Sequence, residues 1–432
     1  WMEDGTVAPG GAAISLAGSR FAIPDLDHDP PHAEIRVRGS GPTAALLSLI
    51  DEEPLGLVSK LGVRPEEVAG TVEVEAEVRL PLLEDLPIEA VRAGAAADLR
   101  AVRLALALRG GAPVEIAAER LALEADTEAM TVEGEVTAAG APLSVVWREL
   151  YGPGRDAREI ELDGALTPDF LAARGVDLPG FAGGRAPVEA RLSGPPDAMA
   201  LSAQIDLGPA RLAAPALRWE KPAGASAGAR LEGTLGELVA LDRVRLDAPG
   251  LELSGSLLVE PGGALSEAVI ERFRLGERAD LSGGLRRAAD GALDIRLEGP
   301  RLDLSGYVEE PPGGATAGEG PMRLEAEIGR LRLTRKLEVA GAEVMLVRTA
   351  GGEIKLELSG RAGGTAPFEA RYSRRSGERG TARMTSADAG ELLRAAGLFE
   401  GGQGGRLTLE ATLDPAPGAD VRATARIREM RV

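Results

Sequence analysis

The chain has 432 residues, with 49 Lys and Arg against 68 Asp and Glu, which leaves a net charge of −19. This charge argues against nucleic acid as a ligand, because phosphate binding needs a basic face. The lack of cysteine excludes thiolate catalysis, Cys-ligated zinc and disulfide bonds. Aromatic residues make up only 3% of the chain, beside 57 Gly and 29 Pro. Such a composition is typical of many short strands and turns around a thin apolar layer.

The sequence shows neither an export signal nor a membrane span. Residues 1–20 lack the basic start and the apolar run of a signal peptide. No stretch approaches the roughly 18 apolar residues that a transmembrane helix needs. Because the chain begins at Trp1 and ends at Val432 within β-like patterns, we expect it to be part of a longer protein.

The N-terminal part is predicted to contain a β segment and then short helices. Residues 1–40 have a β-like pattern, and residues 41–61 hold two helical signals, 43–50 and 55–61, each behind a proline. Proline is tolerated where a helix begins. Each signal covers at most about three turns, so neither predicts a helical domain.

Residues 62–166 are predicted to form the first part of an apolar β-groove. Residues 71–80 alternate strictly between apolar and charged positions, and residues 101–109 repeat the pattern. Side chains alternate across a strand, so a period of two predicts one apolar face and one solvated face. The candidate groove-lining residues here are Val72, Val74, Val78, Leu80, Val102, Leu104, Leu106 and Leu108.

A second groove segment is predicted after a helical interruption. Residues 167–182 hold a short helix at 168–174 and a Leu/Gly/Phe knuckle, and residues 183–385 return to alternating strands. Double glycines such as Gly283-Gly284 and Gly351-Gly352 predict turns between these strands. The candidate lining residues of this segment are Leu251, Leu253, Leu257, Val259, Ile354, Leu356 and Leu358.

The C-terminal part repeats the order of helix and strand. Residues 386–400 predict a short helix with Ser386 as N-cap and Gly397 as the residue beyond its end. Residues 401–432 return to alternation, with Leu407, Leu409 and Leu413 as candidate lining residues.

Two pairs of segments resemble each other within the chain. Residues 168–192 and 387–413 both run from helix through a Gly/Phe knuckle and a double glycine into a strand. AGGRAPVEAR at 182–191 is similar to AGGTAPFEAR at 362–371. The two pairs have different offsets, so we interpret them as degenerate repeats of a strand-rich unit with occasional short helices.

The sequence lacks the motifs that would indicate catalysis. No nucleophile elbow, Walker loop or His-Glu-x-x-His motif occurs. His28 and His32 flank Pro30 and Pro31, which disfavour the helix that a His-x₃-His metal site needs. Most carboxylates lie at alternating strand positions, which favours a solvated sheet face over a catalytic pair. We therefore predict no enzymatic activity, no metal and no cofactor.

Two segments resemble a known family of envelope proteins. Residues 41–83 combine a leucine-rich stretch, an Asp-x-x-Pro-Leu step at Asp51, Pro54 and Leu55, and a strand that ends at Leu80-Pro81-Leu82. Residues 385–409 show an Asp-x-Gly, Leu-Leu, Gly and Gly-Gly series: Asp388, Gly390, Leu392, Leu393, Gly397 and Gly401-Gly402. In these features the chain resembles the large AsmA-like proteins of the YhdP type, relatives of TamB.

The resemblance implies a fold, a location and a ligand. Proteins of this family are anchored in the inner membrane of the Gram-negative envelope and extend through the periplasm. Their expected fold is a long curled antiparallel β-sheet, an open taco-like groove built from degenerate repeats. The expected partners are phospholipid acyl chains, with the membranes at ends that this chain lacks. The anchoring segment is expected in the full-length protein and is not present here.

Two other interpretations of the β pattern stay open. A sheet with one apolar face must cover that face by closing, by packing on another layer, or by holding a ligand. A closed β-solenoid with a structural or outer-membrane assembly role, like TamB, would fill its own interior. A glycan-acting β-helix would need converging carboxylates and aromatic platforms, and this chain has few aromatic residues.

Overall fold

A computed structural model describes residues 4–7, 14–24, 26–27, 29–51, 64–87, 90–106, 113–150, 157–173, 180–195, 197–261, 263–309, 320–413 and 422–432. Strands make up 66% of the structure and helices 9%. This confirms the predicted mainly β class with a few short helices, whereas the curling of the sheet into a groove stays a prediction.

The described elements are short helices inserted between many strands. The strands are β1 (Asp4–Val7), β2 (Ile14–Ala17), β3 (Arg20–Ala22), β4 (His32–Pro42), β5 (Ala69–Pro81), β6 (Arg92–Leu106), β7 (Val114–Asp126), β8 (Ala129–Ala138), β9 (Ala141–Leu150), β10 (Ala157–Leu166), β11 (Phe181–Gly183), β12 (Ala186–Gly194), β13 (Met199–Asp206), β14 (Arg211–Ala214), β15 (Trp219–Lys221), β16 (Gly228–Leu235), β17 (Val239–Ala248), β18 (Leu251–Val259), β19 (Leu265–Leu275), β20 (Ala279–Arg287), β21 (Leu293–Asp303), β22 (Met322–Arg332), β23 (Glu338–Arg348), β24 (Ile354–Ala362), β25 (Ala366–Arg374), β26 (Gly380–Ser386), β27 (Arg406–Leu413) and β28 (Arg422–Arg428). The α-helices are α1 (Thr43–Asp51), α2 (Pro168–Ala173), α3 (Ser305–Glu309) and α4 (Ala389–Ala395), with 3-10 turns at Pro65–Glu67 and Pro215–Leu217.

The chain divides into two compact units. Unit 1 comprises Trp1–Leu212, Pro222–Val239 and Pro261–Gly263, and unit 2 comprises Ala213–Lys221, Ala240–Glu260 and Ala264–Val432. In unit 1, β4 to β10 pair in chain order, followed by β12, β13 and β16, all antiparallel. In unit 2, β18 to β28 pair in chain order. Each unit is therefore built largely of hairpins.

One pair of neighbouring strands in unit 2 runs parallel. β21 and β22 are aligned from Leu293 opposite Met322 to Asp303 opposite Arg332. A parallel pair needs a crossover of about a dozen residues or more, because the chain must return to the same end of the sheet. Residues 304–321 provide this crossover, and α3, which we did not predict from the sequence, lies at its start.

The predicted helices are confirmed where the structure describes them. Residues 43–50 lie in α1 and residues 168–173 form α2, whereas the predicted helix at 55–61 lies outside the described residues. The predicted N-cap of α4 was wrong. Ser386 ends β26 and donates its hydroxyl to the Pro367 carbonyl, while the Asp388 carboxylate accepts the hydrogen bond from the Glu391 amide at 3.0 Å.

The prediction of a turn at Gly283-Gly284 was also wrong, because both residues lie inside β20. Gly283 has φ +147°, and a Cβ at this position would lie 2.0 Å from the Arg296 carbonyl oxygen. The registers of β20 shift next to this point. The glycine is thus needed for a close approach between strands rather than for a chain reversal.

We expect Gly283→Ala to lower the free energy of unfolding by about 2–4 kcal/mol, because it combines an unfavourable φ with a clash against the neighbouring backbone. Gly94→Ala in β6 is the control, since a Cβ there would meet its nearest atom at 3.9 Å. That variant should be neutral or slightly stabilising. Urea unfolding of both proteins measures the difference, and equal midpoints would contradict this account.

Candidate functional site

The strand registers of unit 1 place one apolar residue after another on a single face. Val72 of β5 lies opposite Leu99 of β6, and Leu99 lies opposite Leu121 of β7. The same row continues to the last strand of the unit, through Gly134, Val145, Leu162, Ala190, Ala203 and Leu231. We call this side of the sheet the apolar face of unit 1.

Unit 2 has an apolar face of the same kind. Leu358 of β24 lies opposite Val344 of β23 and Ala370 of β25. The row that includes them runs from β18 to β28 through Gly255, Ile270, Gly283, Leu297, Ala326, Val344, Leu358, Ala370, Met384, Leu409 and Ala425. Described positions of this row carry no charge.

The opposite face of each unit is charged, and arginines and carboxylates on neighbouring strands form exposed ion pairs there. In unit 1, Arg120 lies 2.7 Å from Asp98, and Arg191 lies 2.7 Å from Glu161. Such exposed pairs contribute little to stability. Their importance is that they assign one side of the sheet to solvent and leave the other as the candidate site.

A local irregularity keeps the apolar side chains in phase. In β6, both Leu99 and Val102 are buried, at 7% and 4% exposure, although a regular strand would place them on opposite faces. Ala101 between them has φ +51°. The register shifts by one residue between β5 and β6 and, at the same level, between β7 and β8. These bulges return the apolar residues to the same face.

The two ends of the strands differ in how well the apolar face is covered. We call the end next to α1 in unit 1 and next to α4 in unit 2 the helix end. In unit 1, Leu46 and Leu47 of α1 pack on a cluster that includes Val72 and Val102. Val72 is 2% exposed, whereas Val78, farther along the same strand, is only partly buried.

The helix end of unit 2 is covered more extensively. Leu392 of α4 packs in the same cluster as Phe368 and Leu407. Leu217 and Trp219 also pack against this cluster. Arg278 donates to the carbonyls of Leu217 and Arg218, at 2.9 and 3.1 Å, and the Tyr307 hydroxyl donates to the Ala216 carbonyl at 2.8 Å. The chain's own side chains therefore fill this end.

The predicted lining residues occupy the apolar faces, where the structure describes their side chains. The buried ones are Val72, Val102, Leu251 and Leu407. The partly buried ones are Val74, Val78, Leu80, Leu104, Leu253, Leu257, Val259, Ile354, Leu356, Leu358, Leu409 and Leu413. The side chain of Leu106 and the whole of Leu108 lie outside the described residues. Their role as a lipid-binding surface stays a prediction.

At the opposite end of the strands, the distal end, unit 1 carries a largely buried ion pair on its apolar face. Arg158 of β10 and Glu149 of β9 are in register, and their side chains are 16% and 13% exposed. Glu149 accepts hydrogen bonds from Arg158 Nε at 2.8 Å and from Trp147 Nε1 at 2.9 Å. The Arg158 guanidinium lies 5.2 Å from the centre of the Trp147 ring. This positive charge is therefore neutralised within the chain.

The distal end of unit 2 carries arginines instead. Arg287, Arg348 and Arg374 follow the apolar residues Leu285, Leu346 and Tyr372 on their strands, and lie on the same face. Arg348 donates to the Gly320 carbonyl at 2.7 Å. Arg287 donates to the carbonyls of Leu265 and Gly291. Arg374 Nε is buried without a hydrogen-bond acceptor.

The nearest acidic side chain along the chain from Arg287 is already engaged. Asp290 accepts a hydrogen bond from Arg323 and another from the Ala292 amide. These two interactions, the one with Arg323 being stronger, hold the pKa of the Asp290 carboxyl below its usual value. Asp290 is therefore charged and paired with a cation of the charged face.

Apolar alternation in the sequence does not reveal these distal residues, because they are charged. Each of them lies on the apolar side of its strand, at the point where the series of apolar residues ends. They are Glu149, Arg158, Arg287, Arg348 and Arg374. A charged residue in phase with an apolar face is the signal that could have found them. A signal for the pairing of Glu149 with Arg158 was lacking, because it depends on the register of β9 with β10.

Within the described residues, no three or more His, Cys, Asp or Glu side chains come together as a metal site. The helices of the described ranges are also too short or too polar to cross a bilayer. Compared with family models, with curated proteins and with solved structures, the chain has no match in any of the three. The candidate functional features are therefore the two apolar faces and their distal ends.

We expect Glu149→Gln to lower the free energy of unfolding by about 3 kcal/mol, because it leaves the Arg158 charge largely buried and unpaired. Glu161→Gln is the matched control, since Glu161 pairs with Arg191 across neighbouring strands but both side chains are more than half exposed. That change should stay within about 0.5 kcal/mol. Urea unfolding followed by circular dichroism distinguishes the two, and equal effects would refute the role assigned to the buried pair.

Proposed function

We propose that this chain is the periplasmic part of a bridge-like protein that carries phospholipids between the inner and outer membranes of a Gram-negative envelope. The acyl chains lie along the apolar faces, as the resemblance to AsmA-like proteins of the YhdP type implies. The observation that supports this most is the pair of uninterrupted apolar rows, one in each unit, whose members are partly exposed away from the helix end.

The length and chemistry of these rows suit an acyl chain. Strands are spaced by about 4.8 Å, so the row from Gly41 to Leu231 reaches about 43 Å along the sheet. One leaflet of a bilayer is about 15 Å of hydrocarbon, half of a core of about 30 Å. Each methylene removed from water contributes about 0.8 kcal/mol. Leu, Val and Ala side chains offer this contact without demanding a particular shape.

Transport along such a face needs no chemical step. A hydrocarbon chain makes no hydrogen bonds, so it leaves none unpaired when it moves from one row position to the next. The proposed function is therefore binding and passage rather than catalysis. An energy source would lie in another part of the system.

The alternative is a structural or outer-membrane assembly role of the TamB kind, without a lipid conduit. The observation in its favour is the helix end, where the chain fills its own apolar face. Val339 and Ala362 are completely buried there. If the partly exposed rows were also covered by protein in the full-length molecule, they would form a hydrophobic core and not a surface for lipid.

Leu356→Asp tests the conduit, because an ionised group on the apolar face strongly disfavours an acyl chain beside it. We expect at least a tenfold loss of co-purified phospholipid, which corresponds to about 1.4 kcal/mol or more. The measurement is mass spectrometry of lipid extracted from the folded protein, with folding checked by circular dichroism.

Val269→Asp is the control, because Val269 is 44% exposed on the charged face of β19, opposite Ser256 and Gly284. It should retain the lipid. If Leu356→Asp fails to fold, photo-crosslinkers at Leu356 and at Val269 take its place, and we expect lipid adducts only at Leu356. Adducts at neither position, or at both equally, would end the conduit proposal.

A further inference from the structure

Exposed apolar side chains gather at the distal end of unit 1, where β4 begins and β5 ends. The loop after β5, residues 82–87, is exposed throughout. The loop before β4 meets it, because the Leu82 amide donates to the Pro31 carbonyl at 2.7 Å. Large apolar side chains that are between 40% and 75% exposed lie here: Phe21, Leu26, Leu82, Leu83 and Leu86. We call these five residues the distal patch of unit 1.

The distal patch adjoins the apolar face of its unit. Phe21 of β3 lies opposite Ile35 of β4, and Ile35 lies opposite Val78 of β5, so Phe21 is on the apolar side of the sheet. The four leucines follow β3 or β5 and lie in loops beyond the ends of the strands. The patch therefore extends the apolar side outward, past the last residues of the strands.

Other exposed apolar side chains in the described part of unit 1 are isolated. They are Val146, on the charged face between Glu133 and Glu161, and Leu238, which follows β16. β16 is eight strands from β5 in the order of pairing, which is roughly 38 Å. Single exposed apolar residues are ordinary on protein surfaces, whereas a cluster of them indicates an interaction site.

The loops that carry the patch are acidic. Neither 21–35 nor 80–91 contains a lysine or an arginine. Within the described residues, no ion pair is formed by the exposed carboxylates of these loops, which are Asp27, Asp29, Glu84 and Asp85. The adjoining Arg36 and Arg79 lie on the charged face, where both pair with Glu77. The patch is thus bordered by negative charge that the described part of the chain does not neutralise.

We infer that the distal patch of unit 1 docks a segment of another protein that carries apolar side chains flanked by lysine or arginine. Apolar side chains of the partner would cover the leucines, and its cations would meet the loop carboxylates. An apolar centre with a complementary charged border is the usual composition of a protein–protein interface. The inference does not rest on the proposed function, because it concerns the loops beyond the apolar rows.

The same charges disfavour a bilayer as the occupant. Glu84 and Asp85 stand between Leu83 and Leu86, so inserting these leucines into hydrocarbon would bring two carboxylates toward an apolar phase. An anionic membrane surface would in addition repel the four carboxylates of the loops. A basic protein segment meets neither obstacle.

Two synthetic amphipathic peptides test the inference on the full chain. Both carry the same leucines, and their polar positions are all lysine in one and all glutamate in the other. We expect fluorescence anisotropy to show at least about tenfold tighter binding of the leucine–lysine peptide. The combined variant Leu82→Ser, Leu83→Ser and Leu86→Ser should weaken that binding about tenfold, and Glu84→Gln with Asp85→Gln about threefold.

Matched controls separate the patch from the general acidity of the chain. Val146→Ser, Leu238→Ser and Leu398→Ser together remove three exposed apolar side chains elsewhere. Glu133→Gln with Glu135→Gln removes two exposed carboxylates from β8. Both control proteins should bind the leucine–lysine peptide within about twofold of the unmodified chain. Equal losses in patch and control variants would mean unspecific attraction and would overturn the inference.

A photo-crosslinker in the leucine–lysine peptide gives a second measurement on the unmodified protein, which serves if the triple serine variant does not fold by circular dichroism. We expect adducts concentrated in residues 82–87. Adducts spread over the charged strands would overturn the inference.

Two further outcomes would assign the patch to another occupant and overturn the inference. One is flotation of the unmodified protein with phosphatidylcholine vesicles that the triple serine variant loses, which would indicate a membrane contact. The other is concentration-dependent self-association that the same variant loses, which would indicate a second copy of this chain. We expect neither.

Discussion

Cross-strand register is the constraint on which both candidate faces depend. Side chains alternate with a period of two, so a slip of one residue would move a strand's whole apolar set to the charged side. Many strands must therefore stay in phase for a row to remain apolar. The bulges around Ala101 and Gly283 are the places where the phase would otherwise be lost. At both places, one strand of a pair has an extra residue, which returns apolar side chains to the same face.

A consequence of this arrangement is that the two ends of the strands can differ while the middle stays uniform. α1 follows β4 and α4 follows β26, and both helices pack on the apolar side of their own unit. They bury the helix end in the ordinary way, by packing leucines on leucines. The distal ends lack such packing among the described residues, and their charged side chains lie where apolar rows meet solvent.

Much of the fold follows from the local sequence pattern, whereas close approaches between strands, the choice of a helix cap and cross-strand pairs do not. Strict alternation predicted the strands and the phase of residues such as Val72, Leu104 and Leu358. Gly283-Gly284 resembled a turn, because sequence cannot show that a Cβ at position 283 would lie only 2.0 Å from the Arg296 carbonyl oxygen. Ser386 and Asp388 are both acceptable helix caps, and the choice between them was decided by the tertiary bond from Ser386 to Pro367. The pairing of Glu149 with Arg158 depends on register, which a single strand pattern does not specify.

The pairing of Arg158 in unit 1 shows how a charge is accommodated on an apolar face. A charge in phase with an apolar face is costly to bury unless it is paired. In unit 1 this cost is offset by Glu149 and Trp147, which contact Arg158 directly. In unit 2 the register position that corresponds to Glu149 is Arg348, and Arg158 corresponds to Ile354. The cross-strand pair of unit 1 is therefore a local feature of β9 and β10, which their register sets and the strand pattern alone does not.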